Sequence, residues 1–598
     1  MALCNTPLIH KKTKMNKIFN FIIAIILLIT QNNFAQNNTN EDITGIRAVG
    51  SPADPKVPMS WRKYHDFQQI EKFQQDLQKA FPNLVKIETI GKSYEGRAIF
   101  ALHITDFNKG NPQDKPGFYI DGGIHANELN GVQVCLYTAW YLCENYNNIP
   151  FIKQLLQDKI FYILPNVSPD SREHFIYKPN NSNSSRSGQR PFDNDGDGQI
   201  DEDTYNDLDK DGNITMMRRK SISGKWKQDP KYPNRMFQVK GDELGDYEML
   251  GYEGIDTDGD GQVNEDNEGG YDPNRDWAWN WQPHYVQNGA IYYPGTLPET
   301  RAVKDFIIKN TNIAGAQSYH NYGGMFLRGP GAKEDENLFT KDDIEVYDNI
   351  GKIGEKMIAG YNYYVLYKDL YTVYGGEIDF LGLGRGIFTF SNELMTSYKL
   401  FNQKSSWSRW DNDEFNEFDK LLLFGDGYVD WKPFNHTQFG TVEIGGAKKN
   451  YIRNHPGFML EEDAHRNMAF TLYHAYQTPK IEIIDVKTQQ MEGNLTAITA
   501  TIMNKRLIPT HSSFDLKNKI SPPNFATISG VKVIAAMHVE NEDLNLFKEQ
   551  KLSPENIEIK NIGSMEAIKV RWIVKGNPSQ ATINVISQKA GKITRKIK

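Results

Sequence analysis

From Trp61 to Tyr476 the chain alternates between short, densely apolar runs and segments of helical period, and this leaves few folds open. Tyr64 to Ala80 puts Phe67, Ile70, Phe73 and Leu77 on one helical face, and Leu84 to Ile90 then alternates as a strand does. Ile99 to Thr105, Gly117 to Asp121 and Lys159 to Pro165 read as further strands, with an apolar helix over Gly131 to Tyr146 between them. The scheme resumes at Arg301, with a helix over Val303 to Lys309, and closes with a helix over Asp463 to Tyr476. Such alternation predicts an α/β domain around a largely buried sheet. Residues 179–270 interrupt it. That stretch is polar, rich in Gly, Asp and Asn, and too long for an ordinary loop. After Pro479 the pattern changes to short β-rich runs between turn residues, predicting a β-sandwich over 479–598.

The first 35 residues stand apart. Lys11, Lys12, Lys14 and Lys17 precede an apolar run from Phe21 to Ile29, and the segment ends in a small residue, Ala35. This is the layout of a secretory signal, followed by an Asn-rich linker over 36–60. The run falls far short of the ~20 apolar residues of a spanning helix, and no later stretch is longer, so no membrane span is expected in the mature chain. The expected location is secreted or extracytoplasmic. Cys135 and Cys143 lie on one predicted helix, about 12 Å apart along its axis, too far to bridge. With a net charge of −7 the chain offers phosphates no long basic face, which argues against nucleic acid as a partner.

Three predicted strands end in residues with chemistry. The strand at Phe118 to Asp121 runs through Gly122-Gly123 into His125-Ala-Asn-Glu128. The strand from Ile313 ends at His320, and the strand over Gly386 to Leu394 exits at Glu393. Two imidazoles and a carboxylate suit a catalytic zinc, which takes N and O ligands and keeps one position open. Open α/β sheets place their sites at the carboxyl ends of strands. Glu393 reads as a general base beside the metal.

These residues carry a family resemblance. His125 to Glu128, Asp272-Pro-Asn274-Arg275, Ser318-Tyr-His320-Asn-Tyr322-Gly, and Tyr371 through Gly375-Gly376, Asp379 and Glu393 keep the order and spacing of the M14, carboxypeptidase A-like, zinc carboxypeptidases, which the chain resembles. The resemblance implies a mixed sheet flanked by helices over 61–478. It implies that His125, Glu128 and His320 bind one zinc ion and that Asp272 holds the far nitrogen of His125. Asn274, Arg275 and Tyr371 match the grip on a substrate's terminal carboxylate, where a guanidinium forms two parallel hydrogen bonds. Glu393 matches the general base for water activated by zinc. For the oxyanion-stabilising Arg, Arg186, Arg190 and Arg218 compete, and spacing favours Arg186. Ile378 aligns with a pocket-floor position and suggests apolar C-terminal residues in the substrate.

The insert contains three acidic ladders: Asp193, Asp195, Asp197 and Asp201; Asp207, Asp209 and Asp211; Asp256, Asp258 and Asp260. Alternate Asp residues followed by Gly match the first half of a calcium loop, without the Glu and flanking helices of an EF-hand. Calcium is therefore expected there. The expected activity is hydrolysis of the C-terminal peptide bond of peptides or proteins. One alternative is a related zinc amidohydrolase acting on peptidoglycan stem peptides or N-acyl amino acids. The other is a non-catalytic, calcium-dependent binding protein.

Overall fold

The computed structural model describes residues 49–50, 52, 54–183, 186–194, 196–396 and 413–597. The signal segment expected at 1–35 and most of the linker after it lie outside these residues, as does Asp195. From Met59 onward the chain forms one compact unit.

The first four strands are β1 (Val85–Lys92), β2 (Ala98–Ile104), β3 (Gly117–Gly122) and β4 (Ile160–Leu164). Within the insert lie β5 (Met216–Lys220), β6 (Trp226–Gln228), β7 (Met236–Gln238) and β8 (Tyr247–Tyr252). Then follow β9 (Ile313–Asn321), β10 (Met325–Arg328), β11 (Asn362–Val365) and β12 (Phe388–Leu394). Before Pro479 a further pair, β13 (Tyr428–His436) and β14 (Gly440–Ala447), forms a hairpin.

The central sheet is mixed, in the order β1-β2-β4-β3-β9-β12-β10-β11. Its middle strands β4, β3, β9 and β12 are parallel, so the three residues that end β3, β9 and β12 emerge on one edge. Every residue of β3 and β9 is buried, as expected of strands covered on both faces.

The helix Leu129–Glu144 is buried from Leu129 through Cys143 and packs on β3, β9 and the helix Leu460–Tyr476. Its approach depends on two glycines. A Cβ on Gly122 would come within 2.7 Å of the Gly131 backbone, and one on Gly131 within 2.9 Å of the Tyr319 carbonyl oxygen. Both Cys135 and Cys143 are buried free thiols.

The insert is not a loose loop. Its strands join the late hairpin in a second sheet, β13-β14-β5-β8-β6-β7. Sequence patterning hid this, because β5 pairs with β14 across more than two hundred residues.

After Pro479 come a five-stranded and a four-stranded antiparallel sheet that share one core, including Ile498, Ile502, Trp572, Ile583 and Val585. A short helix, Ser513–Asn518, interrupts the strands. The buried Lys589 anchors these sheets to the rest of the unit, donating to the Arg385 and Gly386 carbonyls at 2.9 and 2.7 Å and pairing with Asp515 at 2.8 Å.

Candidate metal centre and cleft

Glu128 is the residue before the first turn of the helix Leu129–Glu144, and Gly123, at φ +73°, turns the chain from β3 towards it. His320 lies near the end of β9, and Glu393 lies directly opposite it on β12. The sheet thus brings together His320 and Glu393, and the turn after β3 supplies His125 and Glu128.

His125 Nδ1 lies 3.0 Å from Glu128 Oε1, and His320 Nδ1 lies 3.2 Å from both His125 Nδ1 and Glu128 Oε2. All three side chains are at most 3% exposed. His125 Nε2 faces Asp272 Oδ1 at 2.8 Å, and the ionised carboxylate assigns the proton to that nitrogen. That leaves a lone pair on His125 Nδ1. His320 Nε2 contacts the Ser318 hydroxyl at 3.2 Å, so its Nδ1 is free to be the second acceptor.

Three electron-pair donors then converge within 4.8 Å in a buried space, an arrangement that repels itself unless a cation sits among them. Two imidazoles and a carboxylate are the donor set of a catalytic zinc. The residues fit that ion. Burial would raise the Glu128 carboxyl, but His125 and Arg186 outweigh it and hold the group well below the usual range. The same holds for Asp272, where Arg275, His125 and Arg186 overcome burial.

Around this centre stand the other expected residues. Arg186 Nη1 donates to Glu128 Oε1 at 2.5 Å and its Nη2 lies 3.6 Å from Asp272 Oδ2. Its two rivals are elsewhere. Arg218 is paired with Glu443 at 2.7 Å and held between the Tyr247 and Trp431 rings, while Arg190 lies over Tyr292.

Asn274 accepts from the Glu377 N–H at 2.9 Å, which ties the turn at 273–275 to the far wall of the cleft. Arg275 donates to the Asn274 carbonyl at 2.9 Å, yet its buried Nε has no partner. An idle guanidinium N–H in a buried cleft is a ready place for an anion. Tyr371 is half exposed. Arg275, Tyr371, His320, Ile378, Glu377 and Glu393 line a single cavity.

Burial, helped by Glu128, pushes the Glu393 carboxyl up to about 7, against the pull of His320, Arg186 and Arg453.

Sequence reasoning missed two features of this cleft. Asp121 and Glu377 form a buried carboxyl pair beneath it, both raised by burial. Tyr119 donates to Asp121 at 2.8 Å, while Asp121 Oδ1 and Glu377 Oε2 lack partners. The pair puts a polar element beside the apolar floor expected from Ile378. Arg453 also faces the centre, anchored on Asn183 at 2.9 Å and lying over the Tyr322 ring. No local pattern marks either feature, because the partners are far apart in the chain.

Of the acidic ladders, Asp256, Asp258 and Asp260 converge within 4.8 Å, and Asp207 and Asp209 converge with Glu253, which sequence reasoning did not include. Asp211 joins neither group, and Asp193, Asp197 and Asp201 form none among the described residues. The ladder oxygens largely accept N–H groups of their own loops, as Asp193 does from Gly196 and Gly198.

A family model described as zinc carboxypeptidase matches residues 70–207 and 248–416, just over half of the chain, with its gap inside the insert. A second model, described as a domain of unknown function, matches 480–598. Carboxypeptidase B of Astacus astacus is 34% identical over 113 residues, 19% of this chain and 35% of that protein. Metallocarboxypeptidase A of Arthroderma otae is 34% identical over 134 residues, 22% of this chain and 31% of that protein. The chain thus spans about a third of the length of these curated relatives. Among solved structures, thrombin activatable fibrinolysis inhibitor overlays at a TM-score of 0.40 and 17% identity, covering 71% of this chain and 76% of that chain. With the motif order, the mixed sheet and the convergent His125, Glu128 and His320 in place, the family match has one meaning: the chain belongs to the zinc carboxypeptidase family.

Proposed function

We propose that this protein is an exported zinc metallocarboxypeptidase that hydrolyses the C-terminal peptide bond of peptides or proteins. The observation that carries the reading is the shared cavity, which Arg275 lines together with Glu393 and His320, the last two directly opposite each other on neighbouring strands. The basic and apolar start of the chain supports export. Domain limits at 1–35, 36–60, 61–478 and 479–598 belong to the same proposal, supported by the second family model, which begins at residue 480.

His125, Glu128 and His320 would hold the zinc ion, which would supply Lewis acidity towards a carbonyl oxygen and water. Arg275, with Asn274 and Tyr371, grips the terminal carboxylate and fixes the substrate's register. Glu393 takes a proton from the attacking water as its oxygen bonds to the scissile carbonyl carbon. Arg186 donates to the oxyanion that develops there. As the C–N bond breaks, Glu393 delivers the proton to the leaving amine. Asp272 keeps His125 in one tautomer throughout. Ile378 favours apolar C-terminal residues. Calcium in the acidic insert completes the proposal, supported by the three Asp ladders.

Glu393→Gln tests this directly. Turnover of a blocked dipeptide ending in Phe or Leu should fall by about 10²–10⁴ with zinc content unchanged. Undiminished turnover would remove Glu393 from the mechanism, and a strong preference for C-terminal Lys or Arg would transfer specificity from Ile378 to Glu377.

A further inference from the structure

Two of the three acidic ladders are copies of one segment. Asp193 to Asp203 aligns without a gap with Asp256 to Asp266, position for position through Gly, Gln and the closing acids. The copies are interlocked through their last acid. Asp266 accepts from the Asn194 and Asp201 N–H groups at 2.9 and 2.8 Å. Asp203 Oδ1 in turn accepts from the Thr257 N–H at 2.7 Å. Asn194 and Thr257 hold the same place in their copies, so the exchange is reciprocal. Asp203 and Asp266 are both 0% exposed.

Asp203 has more charge than its surroundings satisfy. Its Oδ2 is buried and accepts no hydrogen bond, and the same is true of Glu265 Oε2. Ligand oxygens of Asp203, Asp258 and Glu265 lie within 4.8 Å of one another. Among the described residues no Lys, Arg or His pairs with any of the three. A solvated acidic loop would account for exposed Asp258, but not for a fully buried carboxylate that has one idle oxygen and is grouped with two other carboxylates. A group of oxygen donors only, with this much negative charge, suits a hard divalent cation of the calcium type.

We propose that Asp203, Asp258 and Glu265 bind one calcium-class divalent cation, with Asp203 supplied by the other copy, so that the ion clasps the two copies together. This differs from three independent loops. It makes the fold of the insert, and not one short segment, the unit that binds.

The clasp also reaches the cleft, a consequence that rests on the carboxypeptidase reading. The chain enters the first copy from Arg186 and leaves the second towards Asp272, Asn274 and Arg275. Its two flanks are bonded to each other: Asn194 Nδ2 donates to the Asn267 carbonyl at 2.7 Å, the Arg190 N–H to the Tyr271 hydroxyl at 2.9 Å, and the Ser187 hydroxyl to the Tyr271 carbonyl. A bound ion therefore braces both segments that carry residues to the zinc centre.

The test is calorimetric titration of calcium chloride into the full chain, freed of calcium and loaded with zinc, against Asp203→Asn and Glu265→Gln. Asp203→Asn keeps the acceptor for Thr257 and removes only the charge. The clasp predicts calcium uptake by the unaltered protein and at least about a tenfold weakening at one site in each variant, with unchanged circular dichroism. No uptake by the unaltered protein, or unaltered affinity in Asp203→Asn, overturns it. Withholding calcium should raise KM for a C-terminal substrate several-fold at constant zinc content, and an unchanged KM overturns the bracing. Should the protein hydrolyse no peptide, the titration still decides the site, so the two readings fail separately.

Discussion

The zinc centre and the acidic insert both gather ligand atoms, but by opposite means. At the zinc centre the donors come from positions 125, 128 and 320, and each is delivered by a buried strand or by the turn that leaves one. Glu128 accepts from Arg186 and from the Asn321 N–H, but among the described residues His125 Nδ1 and His320 Nδ1 face only each other and Glu128, so the convergence calls for an ion. In the ladders the donors are neighbours in sequence, and their oxygens accept N–H groups of the same loop. Such a loop can be ordered without a metal. What separates them is burial with unmet valence, and Asp203 is the point at which the insert resembles the zinc centre.

The contrast can be broken by substitution. The largest effect outside the ligands themselves should come from Asp272→Asn, which keeps the side-chain size but loses the charge that fixes His125. Zinc affinity should fall about 10–100-fold, measured by competition with a chromogenic chelator, and an unchanged affinity would show that His125 is oriented by other groups. Next is Gly131→Ala. The added methyl meets the Tyr319 backbone at 2.9 Å and pushes the helix that follows Glu128 away from β9. Unfolding by denaturant should show a loss of about 1–3 kcal/mol, and stability at the unaltered level would mean that the approach is looser than the distances require. The smallest effect should come from Asp211→Asn in the ladder that closes on Glu253 without it. Stability should stay within about 0.5 kcal/mol, and a larger loss would give Asp211 a role that its geometry does not.

The sequence made the zinc centre legible because His320 and Glu393 close apolar runs, where pattern and chemistry coincide, and His125 and Glu128 follow another directly. It could not decide among Arg186, Arg190 and Arg218, since the insert stretches the interval on which spacing relies. The pairing of β5 with β14, which engages Arg218 with Glu443, removes one rival, and the position of Arg190 over Tyr292 removes the other. The hairpin β13–β14 was hidden because buried and exposed residues mix along β13 without the regular apolar alternation of a core strand. The Asp121 and Glu377 pair was unreadable for a different reason: each is an ordinary acid in its own segment, and only the fold brings them beneath one cleft.

The central claim is that His125, Glu128 and His320 hold one zinc ion. Elemental analysis of the purified full chain, beside His125→Ala, measures it most directly. The account predicts about one zinc per chain in the unaltered protein and a large loss in the variant, since a structural change of one ligand in three leaves too few donors for tight binding. Zinc retained at full stoichiometry by His125→Ala, or absent from an active unaltered protein, would contradict it.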